Sequence, residues 1–149
     1  MITSAPPESP AASAMCPASR PIVSRTTRRP CNAAVSLSID IDVQSNYAYI
    51  ADGSCGLSIF DIRKPSNPIY KAGVDTDGFS WNVVVSGNHA YVADDSNGLV
   101  VINVKDVTSP YQYSHVDTGS RVMDLVMFQN YIYLAVGNSG LQIVKLCDI

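Results

Sequence analysis

Few side chains in this sequence have the types and spacing that catalysis or metal binding demands. The side chains that could hold zinc are Cys16, Cys31, Cys55, Cys147, His89 and His115. No two cysteines form a C-x-x-C, so a metal site is not indicated, and three disulfide connectivities are open. Free thiols are the expected state, which gives no sign of an oxidising compartment. The acidic turns Asp75-Thr76-Asp77-Gly78 and Asp94-Asp95-Ser96-Asn97-Gly98 offer oxygens to a calcium ion. An EF-type loop, however, needs alternating ligands over about twelve residues and a terminal Glu. Residues 37–149 contain no Glu, so Asx turns closing hairpins are the expected role of these acids. An Asp lies near either His, but no pairing follows from the spacing. No Ser sits in a nucleophile-elbow context. The expectation is no catalytic residue, no metal and no cofactor.

The elements that would carry any recognition chemistry are set by a repeat. Tyr49, Tyr91 and Tyr133 lie 42 residues apart, as do Gly56, Gly98 and Gly140, Leu57, Leu99 and Leu141, and Asn46, Asn88 and Asn130. Residues 39–80 and 81–122 share 13 identities in 42 positions without a gap, a register chance does not produce. Within the first unit, Ile39-Asp40-Ile41-Asp42-Val43 alternates with period two, the mark of a half-buried strand. Tyr47 to Asp52 and Leu57 to Ile62 are rich in aromatic and β-branched residues. Gly53-Ser54-Cys55-Gly56 between them reads as a hairpin loop. After Pro65 and Pro68, Ile69 to Thr76 makes a fourth strand. Val83-Val84-Val85 and Leu99-Val100-Val101-Ile102 are apolar on both faces, as sandwiched strands must be. No segment has a sustained helical period. The fold class is all-β, built from four-stranded β-propeller blades: two complete and a partial third, over residues 37–78, 79–120 and 121–149.

The segments SNYAYIADGSCGLSIFDIRKPSNP (45–68) and SGNHAYVADDSNGLVVINVKDVTSP (86–110) resemble the LVIVD-repeat family. That resemblance implies propeller-type repeats, mainly bacterial and archaeal and often at the cell surface, and it brings no catalytic motif. Closed propellers need four to eight blades. Two completions are therefore expected: a head-to-tail homodimer making a six-bladed ring, or a longer propeller of which this chain is a piece. Pro21-Ile22-Val23-Ser24 is similar to Pro68-Ile69-Tyr70-Lys71 and could supply an outer strand.

Stepping along the repeat also locates a candidate surface. Trp81 aligns with Ile39 and Met123, an apolar position expected in the core. Phe79 has Arg121 as its counterpart, and both lie in the connection from one blade to the next. Such connections share an end with the second-to-third-strand hairpins, which include Asn138. Phe79, Trp81, Arg121 and Asn138 are therefore the candidate ligand or partner surface.

Composition bounds the remaining possibilities. The net charge of −3 argues against binding held by nucleic-acid phosphates. No apolar run approaches the roughly 18 residues of a membrane-spanning helix. Residues 1–34 are rich in Pro, Ala, Ser and Arg and are expected to be disordered. Prolines precede the first basic residue, Arg20, so no signal peptide is visible. The expected function is a non-catalytic interaction or scaffold surface for a protein or glycan partner. The alternatives are a piece of a propeller hydrolase or lyase, or a glycan-binding propeller assembled from copies.

Overall fold

The computed structural model describes residues 37–147. The segment 1–34, with its candidate strand at 21–24, lies outside the described residues. Three antiparallel sheets follow one another. Blade 1 contains β1 (Asp40–Gln44), β2 (Tyr47–Ala51), β3 (Leu57–Asp61) and β4 (Ile69–Val74). Blade 2 contains β5 (Asn82–Ser86), β6 (His89–Ala93), β7 (Leu99–Asn103) and β8 (Tyr111–Val116). Blade 3 contains β9 (Val122–Phe128), β10 (Tyr131–Val136) and β11 (Gly140–Lys145), with a 3-10 turn at Gly137–Ser139. Strands pair in chain order within every sheet. Even the register irregularities repeat, between Ile59 and Phe60 in blade 1 and between Val101 and Ile102 in blade 2.

The repeated glycines show why the pattern is kept. Gly56 and Gly98 have φ of 71° and 79°, a region costly for residues with a Cβ. A Cβ at either would also lie 2.2 Å from the Val74 or Val116 carbonyl oxygen of the outer strand. Gly140 has the same φ of 71°, but nothing stands within 4 Å of its Cβ position. Blade 3 has no fourth strand among the described residues to close over it.

Each blade has two apolar faces. Tyr49, Ala51, Leu57 and Ile59 of blade 1 pack against Val83, Ala90, Val92, Val100 and Ile102 of blade 2. One repeat later, Tyr91, Ala93, Leu99 and Val101 pack against Leu125, Ile132 and Leu134 of blade 3. Burying such a side chain contributes about 1.5–3 kcal/mol, so the core lies between the sheets. The inner strands β1, β5 and β9 adjoin in that order. No helix among the described residues is long and apolar enough to cross a membrane.

Candidate functional site at the blade junctions

An inner strand has one edge without a ladder partner, and its N–H groups need acceptors. In the first junction, side chains of β1 supply them to the edge of β5. The Val83 N–H donates to Asp40 Oδ2 (3.0 Å) and the Val85 N–H to Asp42 Oδ2 (2.7 Å). The Gly87 N–H donates to Gln44 Oε1 (3.0 Å), while Gln44 Nε2 donates to the Gly87 carbonyl (2.8 Å). In the second junction the corresponding β5 residues are Asn82, Val84 and Ser86. Asn82 Oδ1 is buried without a hydrogen bond, and the Leu125 N–H turns to its own neighbour, Asp124 Oδ1 (2.9 Å).

A buried carboxylate adds a second lock to the first junction. Asp94 is fully buried and uses all its acceptor capacity. Its Oδ1 accepts from Thr76 Oγ1 (2.6 Å) and Ser80 Oγ (2.8 Å). Its Oδ2 accepts from the Gly78 N–H and Asn97 Nδ2, both at 3.0 Å. The acidic turn is therefore more than a hairpin closure, because it ties the blade 1 crossover to blade 2. Asp52, the counterpart in blade 1, accepts from Ser38 Oγ (3.0 Å) and Ser58 Oγ (3.3 Å). In blade 3 the Ser–Asp pair becomes Val122 and Val136, opposite each other in the ladder and both buried. Thr118, the counterpart of Thr76, donates instead to the Ser120 carbonyl (2.7 Å).

The four candidate surface residues lie at the end of the blades where the crossovers and the second-to-third-strand loops meet. Phe79 and Trp81 are in contact, ring centroids 4.8 Å apart. Phe79 also covers Gly53, where a Cβ would stand 3.0 Å from its Cζ. One repeat later, Arg121 takes the place of Phe79 and Asp95 the place of Gly53. These form an ion pair, Nε to Oδ1 at 3.5 Å. An aromatic ring over a glycine is thus replaced by a cation beside an acid. Asn138 is exposed in the 3-10 turn, and its neighbour Gly137 donates its N–H to the Arg121 carbonyl (2.9 Å). The structure therefore makes two pairs, Phe79 with Trp81 and Arg121 next to the Asn138 turn.

Trp81 is not core as expected. It is half-buried, and its counterparts Ile39 and Met123 are 39% and 45% exposed, because this position lies at the lip of the inner strand. Trp81 Nε1 and Asn82 Oδ1 are buried without a hydrogen bond, and Asp95 Oδ1 is buried with the Arg121 ion pair in place of one. Asn82 and Asp95 were not evident from the sequence. The signal that could have found them is their departure from Asp40 and Gly53 at the same repeat positions.

Other candidate chemistry falls elsewhere. His89 is buried at the opposite end, with ring neighbours Tyr91 (6.4 Å) and Tyr113 (5.3 Å) and with Nε2 unpartnered. It lines a concavity of about 320 Å³ with Asn88, Asn130 and Cys147. His115 is exposed on β8. Cys147 is free and exposed, while Cys55 is fully buried and disulfide-bonded, which corrects the expectation of free thiols. Cys16 and Cys31 lie outside the described residues.

Two further ionisable environments are structural. Hydrogen bonds from the Arg63 side chain and backbone hold the Asp61 carboxyl well below the usual carboxylate range, with Lys71 adding to the effect. Burial raises the Tyr49 and Tyr91 phenols.

The family model described as LVIVD repeat matches three consecutive units, residues 38–76, 77–118 and 119–149, well over half of the chain. No curated protein matches it significantly.

Proposed function

The chain belongs to the LVIVD-repeat family, and we propose that it is a non-catalytic recognition module whose partner is a protein bound at the crossover end of blades 2 and 3. One observation carries this reading: at one end of the blades the Phe79–Trp81 ring pair is followed, one repeat on, by the exposed Arg121 beside Asp95. An exposed cation and half-buried aromatic rings are groups that a partner can reach and desolvate. Trp and Arg are also the side chains that most often anchor protein interfaces. The stacked sheets hold these groups on a stiff frame, which lowers the entropy cost of recognition. A setting at the cell surface belongs to the same proposal and rests on the family resemblance.

A panel of immobilised proteins and glycans, probed with the full chain, tests the reading. A protein ligand lost in both Trp81→Ala and Arg121→Ala, with the circular dichroism spectrum unchanged, is the expected result. A glycan lost only in Trp81→Ala would assign the Phe79–Trp81 pair to sugar stacking instead. Ligands indifferent to all these side chains would remove the surface from consideration.

A further inference from the structure

The face of blade 3 that looks away from blade 2 repeats surfaces that are buried elsewhere. Leu57 and Leu99 are at most 1% exposed, whereas Leu141 is 66% exposed; Ile59 is fully buried, whereas Ile143 is 54% exposed. Met123, Val126, Tyr133 and Leu141 line an open concavity of about 560 Å³ there. At the other end of the stack, the inner-strand rim of blade 1 shows Ile39, Ile41 and Val43 to solvent at 39%, 58% and 53%. Of their counterparts in blade 2, Val83 and Val85 pack into the core shared with blade 1, Val83 being only 2% exposed.

We propose that the open face of blade 3 docks the β1 rim of a second copy of this chain, head to tail, in the register that joins blade 1 to blade 2. Hydrogen-bond complementarity identifies the occupant. Asp42 uses Oδ1 for the N–H of its own neighbour Val43 (2.8 Å) and Oδ2 for the Val85 N–H of the next blade (2.7 Å). Asp124 makes the first kind of bond, its Oδ1 holding the Leu125 N–H (2.9 Å), and no second one among the described residues. It stands at the repeat position of Asp40, whose Oδ2 reaches the Val83 N–H. The group equivalent to the Val83 N–H on a second copy is the Ile41 N–H, at the rim of β1. Tyr133 and Leu141 then meet the Ile41 side chain, as Tyr49 and Leu57 meet Val83. Ala48, Ser58 and Phe60, farther out on the same face of blade 1, are already buried. The contact is accordingly centred on the inner strand.

Light scattering on the full chain at tens of micromolar tests the docking. The expected mass is twice the 16.0 kDa of one chain. Leu141→Asp and Ile41→Asp should each give a folded monomer, because both positions are exposed in the single chain. Ile143→Asp stands in if the first fails to fold. Mixing the two monomeric variants should restore a dimer, since one keeps a live rim and the other a live face. A larger assembly abolished by both substitutions supports the same docking. A monomeric wild type overturns it. So does a dimer that survives Ile41→Asp, which would show blade 3 faces pairing with each other.

Discussion

Blades 1 and 2 add polar locks to the apolar core between them, whereas blades 2 and 3 rest mainly on theirs, although both junctions run in one 42-residue register. Asp40, Asp42 and Gln44 cap the β5 edge, and Asp94 gathers four donors at the crossover. At the second junction those positions are Asn82, Val84 and Ser86 for the rim, and Val136 for the carboxylate. The changes come in matched pairs: Ser80 with Asp94 becomes Val122 with Val136, and Phe79 over Gly53 becomes Arg121 beside Asp95. Paired replacement is what physics requires, because removing one member of a buried polar pair strands the other, while removing both leaves well-packed apolar surface. The unmatched change is Asn82, whose buried oxygen has no hydrogen bond.

The largest effect is expected at the apolar junction. Leu99→Ala should cost about 2–5 kcal/mol in urea denaturation. Amide exchange should then quicken in β9–β11 before β1–β4, since repeat stacks unravel by nearest-neighbour contacts. Exchange that quickens equally in all blades would mean the junctions are not separable. Next comes the polar lock: Asp94→Ala should cost about 2–4 kcal/mol by stranding its donors. Adding Ser80→Val to Asp94→Val should recover part of that loss, and strict additivity of the two would show that the pairs are not coupled. Smaller still, Asp42→Ala should cost about 1 kcal/mol through the exposed Val85 N–H, whereas Asn82→Val should stay within about 0.5 kcal/mol of wild type.

The smallest effect is a pH dependence far from both junctions. The Asp61 carboxyl is depressed in the folded chain by Arg63. Its stabilisation is therefore complete above the ordinary carboxylate pKa of about 4 and is lost as pH falls towards the depressed folded value. Arg63→Ala should flatten the fall of melting temperature with acid below about pH 4. An unchanged slope would assign acid sensitivity to other carboxylates.

Much of the fold was legible because side chains on strands and glycines in turns obey local rules. Period-two alternation placed β1, and Gly56 and Gly98 marked hairpins whose outer strands leave no room for a Cβ. The candidate surface was legible only in part. Phe79 and Arg121 could be found from their position in the crossover, but the aromatic-over-glycine and cation–acid pairings could not. Trp81 was misplaced because an apolar repeat position need not be a core position. The role of Asp94 was hidden because its donors include Thr76 and Gly78, 18 and 16 residues upstream.

The sequence by itself determined the all-β class, the 42-residue blade and its strand order, since these follow from periodicity and turn chemistry within a few residues. Only the tertiary structure decided which acids cap edges, which polar atoms remain unpaired and which apolar face stays open. Those outcomes depend on what lies across a junction, about 43 residues away along the chain, where no local pattern reaches.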